Sequence, residues 1–481
     1  MGKTIHKSEY LITDKKRTLI LINIIITCFS SSMMSTALTA ALPQIINDLN
    51  ISASTGQWLS SGYSLCMGII IPITAFLITR FPTKKLYLTS LLIFIVGLSM
   101  SIFSNNFEIL MISRILQALG NGILSSMAQV VLLSIYPPQK RGTVLGWYGL
   151  SLTAAPVISP TISGILIDIF NWKSVFVLPF IILCISYVCA LFSFDDVLET
   201  SKKKFDVYSF ILSVFAFVGI SLGIGNISTY GFMSSFVLVP LVLSIVASLL
   251  FINKQLKSQQ PFLELRTFQN KDFTISVIGS MLLFFVAMGA SALLPLYVQS
   301  ILGHSATISG LVTLPGSLVL AIMSPVSGKM YDKFGMKKLF IVGSILLMLS
   351  SFGMYFITIK TPVIISAILN ILRQVATGCM FMPFVTWGSS NMKKEYTAHA
   401  TALLTALRTI AGAIGMSVFI GIMTSSANSN TSLSYVESSI KGLNIAFLFM
   451  GIVSIILLGI AIFGLKKYTS DELYEVSENA L

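Results

Sequence analysis

"SGKMYDKFGMKK", residues 327–338, is a short basic turn between two apolar runs, and "TAFLITRFPTKK", residues 74–85, is a similar turn 253 positions earlier. Both follow small residues, both end in a Lys pair, and both sit one apolar run into a block of six. A second echo has nearly the same spacing: "RILQALGNG" at 114–122 against "NILRQVATG" at 370–378, 256 positions apart. Two echoes at one separation describe a chain built from two related halves.

The solvent around those turns follows from composition. Of 481 residues, 55% are hydrophobic and 10% are charged, where a soluble chain carries about 25% charged residues. Apolar runs cover approximately 18–42, 57–79, 86–104, 108–136, 142–168, 173–194, 207–227, 233–253, 273–299, 306–331, 338–358, 362–387, 397–425 and 444–465. Each is long enough to cross roughly 30 Å of hydrocarbon as a helix. The reading is an all-α membrane protein with 14 transmembrane helices. Residues 1–17 form a cytoplasmic segment, 18–200 a six-helix bundle, 201–260 an inserted helix pair with linkers, 261–465 a second six-helix bundle, and 466–481 a tail. The first run is too long for a signal peptide and lacks a clear small-residue cleavage site.

Charge sets the expected orientation. With both termini cytoplasmic, twenty-five of the 31 Lys and Arg residues fall on inner segments, and only Lys173, Lys360 and Lys441 fall outside. This is a strong positive-inside bias in a multi-pass protein of the cell membrane. The net charge of +13 therefore reflects topology and anionic membrane lipid, not nucleic acid, because no basic stripe forms. Cys28, Cys66, Cys184, Cys189 and Cys379 lie within apolar runs, and His6, His304 and His399 are far apart. No disulfide framework, metal site or cofactor is indicated, and no GxxxxGK[ST] phosphate loop occurs. The chain reads as a non-enzyme, acting as a monomer. Two related halves suit a carrier that rocks around a central cavity, and no carbonyl filter or charge ring points to a channel.

These motifs carry a resemblance. "GKMYDKFGMKK" (Gly328, Asp332, Gly335, Lys337, Lys338), "RILQALGNG" (Arg114, Gln117, Gly120, Gly122) and "APVISPTISG" at 155–164 (Pro156, Pro160, Gly164) resemble three signatures of the major facilitator superfamily. "TALTAALPQI" at 36–45, followed by the remaining runs, is similar to its fourteen-helix drug:proton antiporter subfamily. The resemblance covers about residues 15–465 and implies the major facilitator fold, with multidrug efflux of small lipophilic substrates in exchange for protons. The departures matter as well. Met34 and Thr39 stand where that subfamily commonly has an aspartate and an asparagine, and the first turn has Ala75, Thr79 and Pro82 for Gly, Asp and Gly. Ser159 and Ser163 replace glycines in the fifth run. The gating pattern is thus kept in the second half and eroded in the first.

Each kept residue also has a physical reading. Arg114 lies about 9 Å below the outer boundary at 1.5 Å per residue, a depth shared by Ser35, Thr36 and Thr39, whose hydroxyls are expected to answer its charge. It is either a cavity-wall residue that influences gating or a purely structural buried cation. Pro156, Pro160 and Gly164 permit a bend, or simply close packing, in the fifth run. Asp332 and Gly335 in their basic turn fit a clamp between helix ends, with Lys333, Lys337 and Lys338 beside the carboxylate. Lys338 serves topology equally well. Arg373 and Arg408 sit near the midplane, and no Asp or Glu lies deep in any run. That electropositive interior favours neutral, zwitterionic or anionic amphiphiles. Met33, Met34, Tyr63, Met67, Asn121, Met288, Asn370 and Gln374 are the further candidate lining of an adaptable cavity. With no acid in the first run, proton coupling is expected at a peripheral carboxylate, Asp332, Asp168 or Glu108, or through the substrate's own ionisation. The alternatives are a dedicated exporter of one endogenous anionic metabolite or lipid-like molecule, and a non-transporting scaffold.

Overall fold

The computed structural model describes residues 13–465 except 52, 199, 201–205, 226–232, 259–260, 305, 391, 393–395 and 430–434. The described residues form thirteen α-helices and no strand. They are α1 (Asp14–Asp48), α2 (Ala53–Arg80), α3 (Thr83–Ile102), α4 (Phe107–Ile135), α5 (Pro138–Ile169), α6 (Ser174–Ser193) and α7 (Val207–Gly225), then α8 (Ser235–Lys257), α9 (Lys271–Leu296), α10 (Ala306–Tyr355), α11 (Val363–Ser390), α12 (Thr397–Ser429) and α13 (Tyr435–Gly459). Short π turns extend α9 over Tyr297–Ile301 and α13 over Ile460–Gly464.

Local chemistry sets several of the boundaries. The Asn106 side chain accepts from Ile109 N at 2.9 Å and opens α4, with Glu108 in the first turn; Asn270 does the same for α9 through Phe273 N at 3.1 Å, with Asp272 following. Both pairings satisfy free N–H groups and set negative charge at the positive end of the helix dipole. α10 has 50 residues and breaks at Gly335, where φ is 71° and ψ is 176°. A side chain is strongly disfavoured in that conformation, so glycine is what lets the chain fold back there. The two arms together run about 75 Å, more than twice the hydrocarbon thickness.

Eleven of the apolar segments among the described residues are long enough to cross a membrane, counting Ile308–Tyr355 as one. Their outward faces expose large apolar side chains such as Ile185, Phe192, Phe236, Leu249 and Phe463. Such a surface is stable against lipid and not against water; the fold is all-α and membrane-spanning. α2 and α5 have 28 and 32 residues, also long enough to cross, and they expose Trp58, Trp147, Ile158 and Ile165.

Packing repeats along the chain. α1 lies on α5 and α6, α2 and α3 on α4, and α3 on α6. Further along, α9 lies on α12 and both arms of α10 on α11, where Gly316 and Gly343 face Asn370 and Met380; the second arm meets α13 where Gly451 faces Phe352. α7 packs on α8 and touches α2 and α12. Across the repeat, α5 lies along α10 and α2 along α12.

Candidate functional site

The first arm of α10 delivers Asp332 to the start of α5. Its Oδ1 accepts from Gly142 N at 2.9 Å, and its Oδ2 accepts from Thr143 N at 2.8 Å and Thr143 Oγ1 at 2.6 Å. The approach requires glycine on both sides: a Cβ on Gly328 would collide with Gly142 O, and one on Gly146 would meet Ser324 O at 2.7 Å. Backbone therefore rests on backbone, and the carboxylate sits at the positive end of the α5 dipole. The neighbouring lysines do not answer Asp332. Lys333 and Lys338 lie over the Phe334 ring at 5.2 and 5.1 Å, and Lys337 Nζ donates to Ile462 O and Leu465 O at 3.2 and 2.6 Å. The carboxylate is thus answered by two amides and a hydroxyl of α5 and not by the lysines beside it in sequence.

Among the described residues, the corresponding turn of the first half makes no such junction. Thr79 Oγ1 donates to Ala75 O and Phe76 O of its own helix at 3.1 and 3.0 Å. Lys84 turns to α6 and its end, with its N–H on Asp196 Oδ1 at 2.9 Å and its Nζ on Leu191 O at 2.7 Å.

Deeper in the bundle, the two echoed segments each bury a guanidinium–amide pair. Arg114 is 1% exposed; its Nη1 donates to Gln117 Oε1 at 2.7 Å and its Nε to Leu59 O at 3.2 Å, with the Tyr63 ring centre 4.2 Å from Cζ. Gln117 Nε2 passes the network on to Ser101 Oγ at 2.8 Å, and Asn121 Nδ2 donates to Tyr63 OH at 2.7 Å. In the second half, Arg373 Nη2 donates to Asn370 Oδ1 at 2.5 Å, and Asn370 Nδ2 to Thr313 O at 3.4 Å. Arg373 and Asn370 face a small cavity lined by Leu294, Ser350, Met354, Ser366 and Phe447. A third guanidinium, Arg408, lies over the rings of Phe284 and Phe381, which are in contact with each other.

The structure therefore brings Arg114, Gln117, Tyr63 and Asn121 into one network and joins Asn370 to Arg373. It sets Asp332 and Gly328 against α5, well separated along α10 from the cavity at Arg373. Met33 and Met34 are buried on α1, with Met33 O accepting from Ser159 Oγ of α5 at 2.9 Å. Met67, Met288, Gln374 and Pro156 are half-buried; Met67 faces Gly122, Met288 faces Gly412 and Gln374 faces Gly316. The side chains of Ser35, Thr36, Thr39, Pro160, Gly164 and Asp168 lie outside the described residues. Among described groups, α2 and α4 supply the acceptors of Arg114. Sequence reasoning missed Gly142, Thr143, Tyr148 and Phe381. The Gly142, Gly146, Gly149 spacing just after Pro138 was the available signal for the first two.

Comparison with known proteins adds the following. The model of the Major Facilitator Superfamily matches residues 24–416. The chain is 34% identical over 430 residues to the MFS-type transporter YcnB of Bacillus subtilis (strain 168), covering 89% of this chain and 91% of YcnB. It is 35% identical over 408 residues to the lincomycin resistance protein LmrB of the same organism, covering 84% and 85%. A crystallised proton:xylose symporter, XylE, shares the fold with a TM-score of 0.64 at 14% identity, over 97% of this chain and 100% of that one.

Proposed function

The chain belongs to the major facilitator superfamily, and from that premise we propose that it exports lipophilic drugs or amphiphiles across the cell membrane by alternating access, in exchange for protons. Its transport role is not enzymatic. In this reading fourteen helices cross the membrane with both termini cytoplasmic: α10 contributes two crossings around Gly335, and each of the other twelve helices contributes one. Helices α1–α6 and α9–α13 are the two rocking bundles, and α7 and α8 an inserted pair.

The observation that carries the reading is the Asp332 junction, three hydrogen bonds from α10 to the first residues of α5, across the line where the packing repeat begins again. A contact made of a few directional bonds between glycine-faced backbones is made and broken without repacking side chains, as a gate requires. Asp332, Gly328, Gly335, Gly142 and Thr143 form that gate, with Lys338 beside it; Pro156, Pro160 and Gly164 let α5 bend; Arg114 and Gln117 couple α2, α3 and α4 near the cavity. The relative LmrB is named for resistance to lincomycin, which supports a drug-like substrate. The buried cations Arg114, Arg373 and Arg408 bias the cavity towards neutral, zwitterionic or anionic molecules. They equally suit the second reading, a dedicated exporter of one anionic metabolite, which a single tight specificity would reveal.

The test is flux of a chemically varied panel in proteoliposomes under an imposed pH gradient with the membrane potential clamped. Uphill movement of several lipophiles is expected, weakened by Asp332→Asn, Asp168→Asn or Glu108→Gln. No uphill flux under any gradient removes the antiporter reading. Exclusively external labelling of cysteines introduced at 201–204 would reverse the orientation.

A further inference from the structure

Of the three buried guanidinium groups, two are answered from within the protein. Arg114 has the Gln117 amide and the Leu59 carbonyl, and Arg373 has the Asn370 amide. Arg408 has neither. It is 6% exposed, its Cζ lies 5.2 Å from the Phe284 ring centre and 4.9 Å from that of Phe381, and among the described residues nothing accepts a hydrogen bond from its buried Nη1. Aromatic faces attract a cation but offer no lone pair in the guanidinium plane, so the N–H remains unsatisfied. Among the described residues no acid is found paired with it: the ion pairs at Lys16, Arg17, Lys254 and Arg266 leave Arg408 out.

The position is as informative as the chemistry. Arg408 comes from α12, Phe284 from α9 and Phe381 from α11, and Tyr148 of α5 is close enough to interact with Arg408 electrostatically. The unanswered donor therefore stands where both packing groups meet, not inside one of them. The Tyr148 hydroxyl donates to Ser125 O at 3.1 Å and makes no hydrogen bond with Arg408 Nη1.

We propose that the missing acceptor arrives with the transported molecule, and that this molecule is a lipophilic monocarboxylate. Its carboxylate docks on Arg408 Nη1 and its apolar body lies along Phe284 and Phe381. A carboxylate matches the planar fork of a guanidinium. One negative charge cancels the one cation present, whereas a phosphate dianion would leave net charge buried at high cost. The inference rests on the export reading above and names the substrate class for it.

The experiment compares cholate with cholamide, its neutral primary amide of the same shape, as labelled substrates in proteoliposomes. The natural chain is expected to move cholate. Arg408→Gln is expected to lower cholate flux by about tenfold or more, as loss of a buried charge-assisted contact implies, and to change cholamide flux less than about twofold. Equal loss of both fluxes, or loss of neither, overturns the proposal. Neutral lipophiles moving while cholate does not also overturns it and leaves the export reading standing. No flux of any lipophile removes both. Folding of the variant is bypassed by a measurement on the natural chain: after phenylglyoxal treatment, peptide mapping should find Arg408 protected by cholate and not by cholamide. Equal modification with and without cholate speaks against the site.

Discussion

The two halves of the chain solve the same two problems in opposite ways. At the basic end, the second half extends a carboxylate, Asp332, to three donors on α5, while the first half has Thr79 in that place, bonded among the described residues within its own helix. In the interior, both halves bury an i, i+3 guanidinium–amide pair, but the order inverts: Arg114 precedes Gln117, and Arg373 follows Asn370. The junction depends on one residue and is asymmetric; the buried pair depends on complementarity and survives having its members exchanged. Repetition of the fold therefore requires the packing and the satisfied donors, not the same residue at each position.

The sharpest way to break this comparison is at the two turns. Asp332→Ala removes an acceptor from three donors, each charge-assisted bond contributing about 1.5–3 kcal/mol, and should reduce transport at least about tenfold. Thr79→Ala should leave it within about twofold, because among the described residues its hydrogen bonds stay within its own helix. Similar losses from both would show that the first turn also acts as a gate, by a route its hydrogen bonds do not reveal.

The interior pairs come next. Gln117→Leu leaves the Arg114 Nη1 without its amide acceptor and also strips Ser101 of its Gln117 Nε2 donor. A loss of about 1–3 kcal/mol is expected from the unsatisfied cation, read as a fall of several degrees in thermal unfolding in detergent. Asn370→Leu should cost less, since Arg373 borders a small cavity that can admit water. The double exchange Arg114→Gln with Gln117→Arg gives the first half the second half's order. If complementarity is what counts, it should recover most of the Gln117→Leu loss; failure to recover would make the order itself essential.

Legibility followed the same division. The apolar runs, the turns and the halves were readable because membrane length and repeat spacing are properties of one segment at a time. Arg114 was readable as a buried cation in need of acceptors, but the hydroxyls of Ser35, Thr36 and Thr39 were expected to supply them, and Gln117, three residues on along the same helix, was not read as its partner. What the sequence hid was contact between segments. Asp332 was legible as a clamp, but its partner, the α5 start at Gly142 and Thr143, lies 189–190 positions away. The lysines beside it in sequence were the obvious partners, yet their long flexible stems carried them to Phe334 and to the end of α13. The Phe284–Phe381 ring pair around Arg408 joins two helices, and in a chain with 33 Phe no pattern separates those two from the rest.

The smallest expected effect lies in neither half and calibrates both. At the foot of α7, Asp206 accepts from Ser209 N and Oγ at 3.1 and 2.6 Å and lies 3.5 Å from Lys254 Nζ. Burial works against its charge, but the Ser209 hydrogen bonds and Lys254 outweigh it and hold the carboxyl below the ordinary carboxylate range. A depressed acid contributes stability that is full above the ordinary range and fades as pH falls through its folded value. Asp206→Asn should therefore lower thermal stability slightly near neutral pH and flatten its acid dependence, leaving transport unchanged. A transport defect in this variant would mean that α7 and α8 belong to the working parts.

Gly335 has a consequence for genes as well as for geometry. At φ 71° and ψ 176° the backbone stands where side chains are strongly disfavoured, and any first- or second-base change in a glycine codon installs a side chain or a stop. Only the third base is free to drift there. In an unselected mutant library, substitutions at 335 should therefore be depleted among functional survivors as strongly as nonsense codons, while neighbouring Lys333 and Phe334, exposed at the same bend, accumulate them freely.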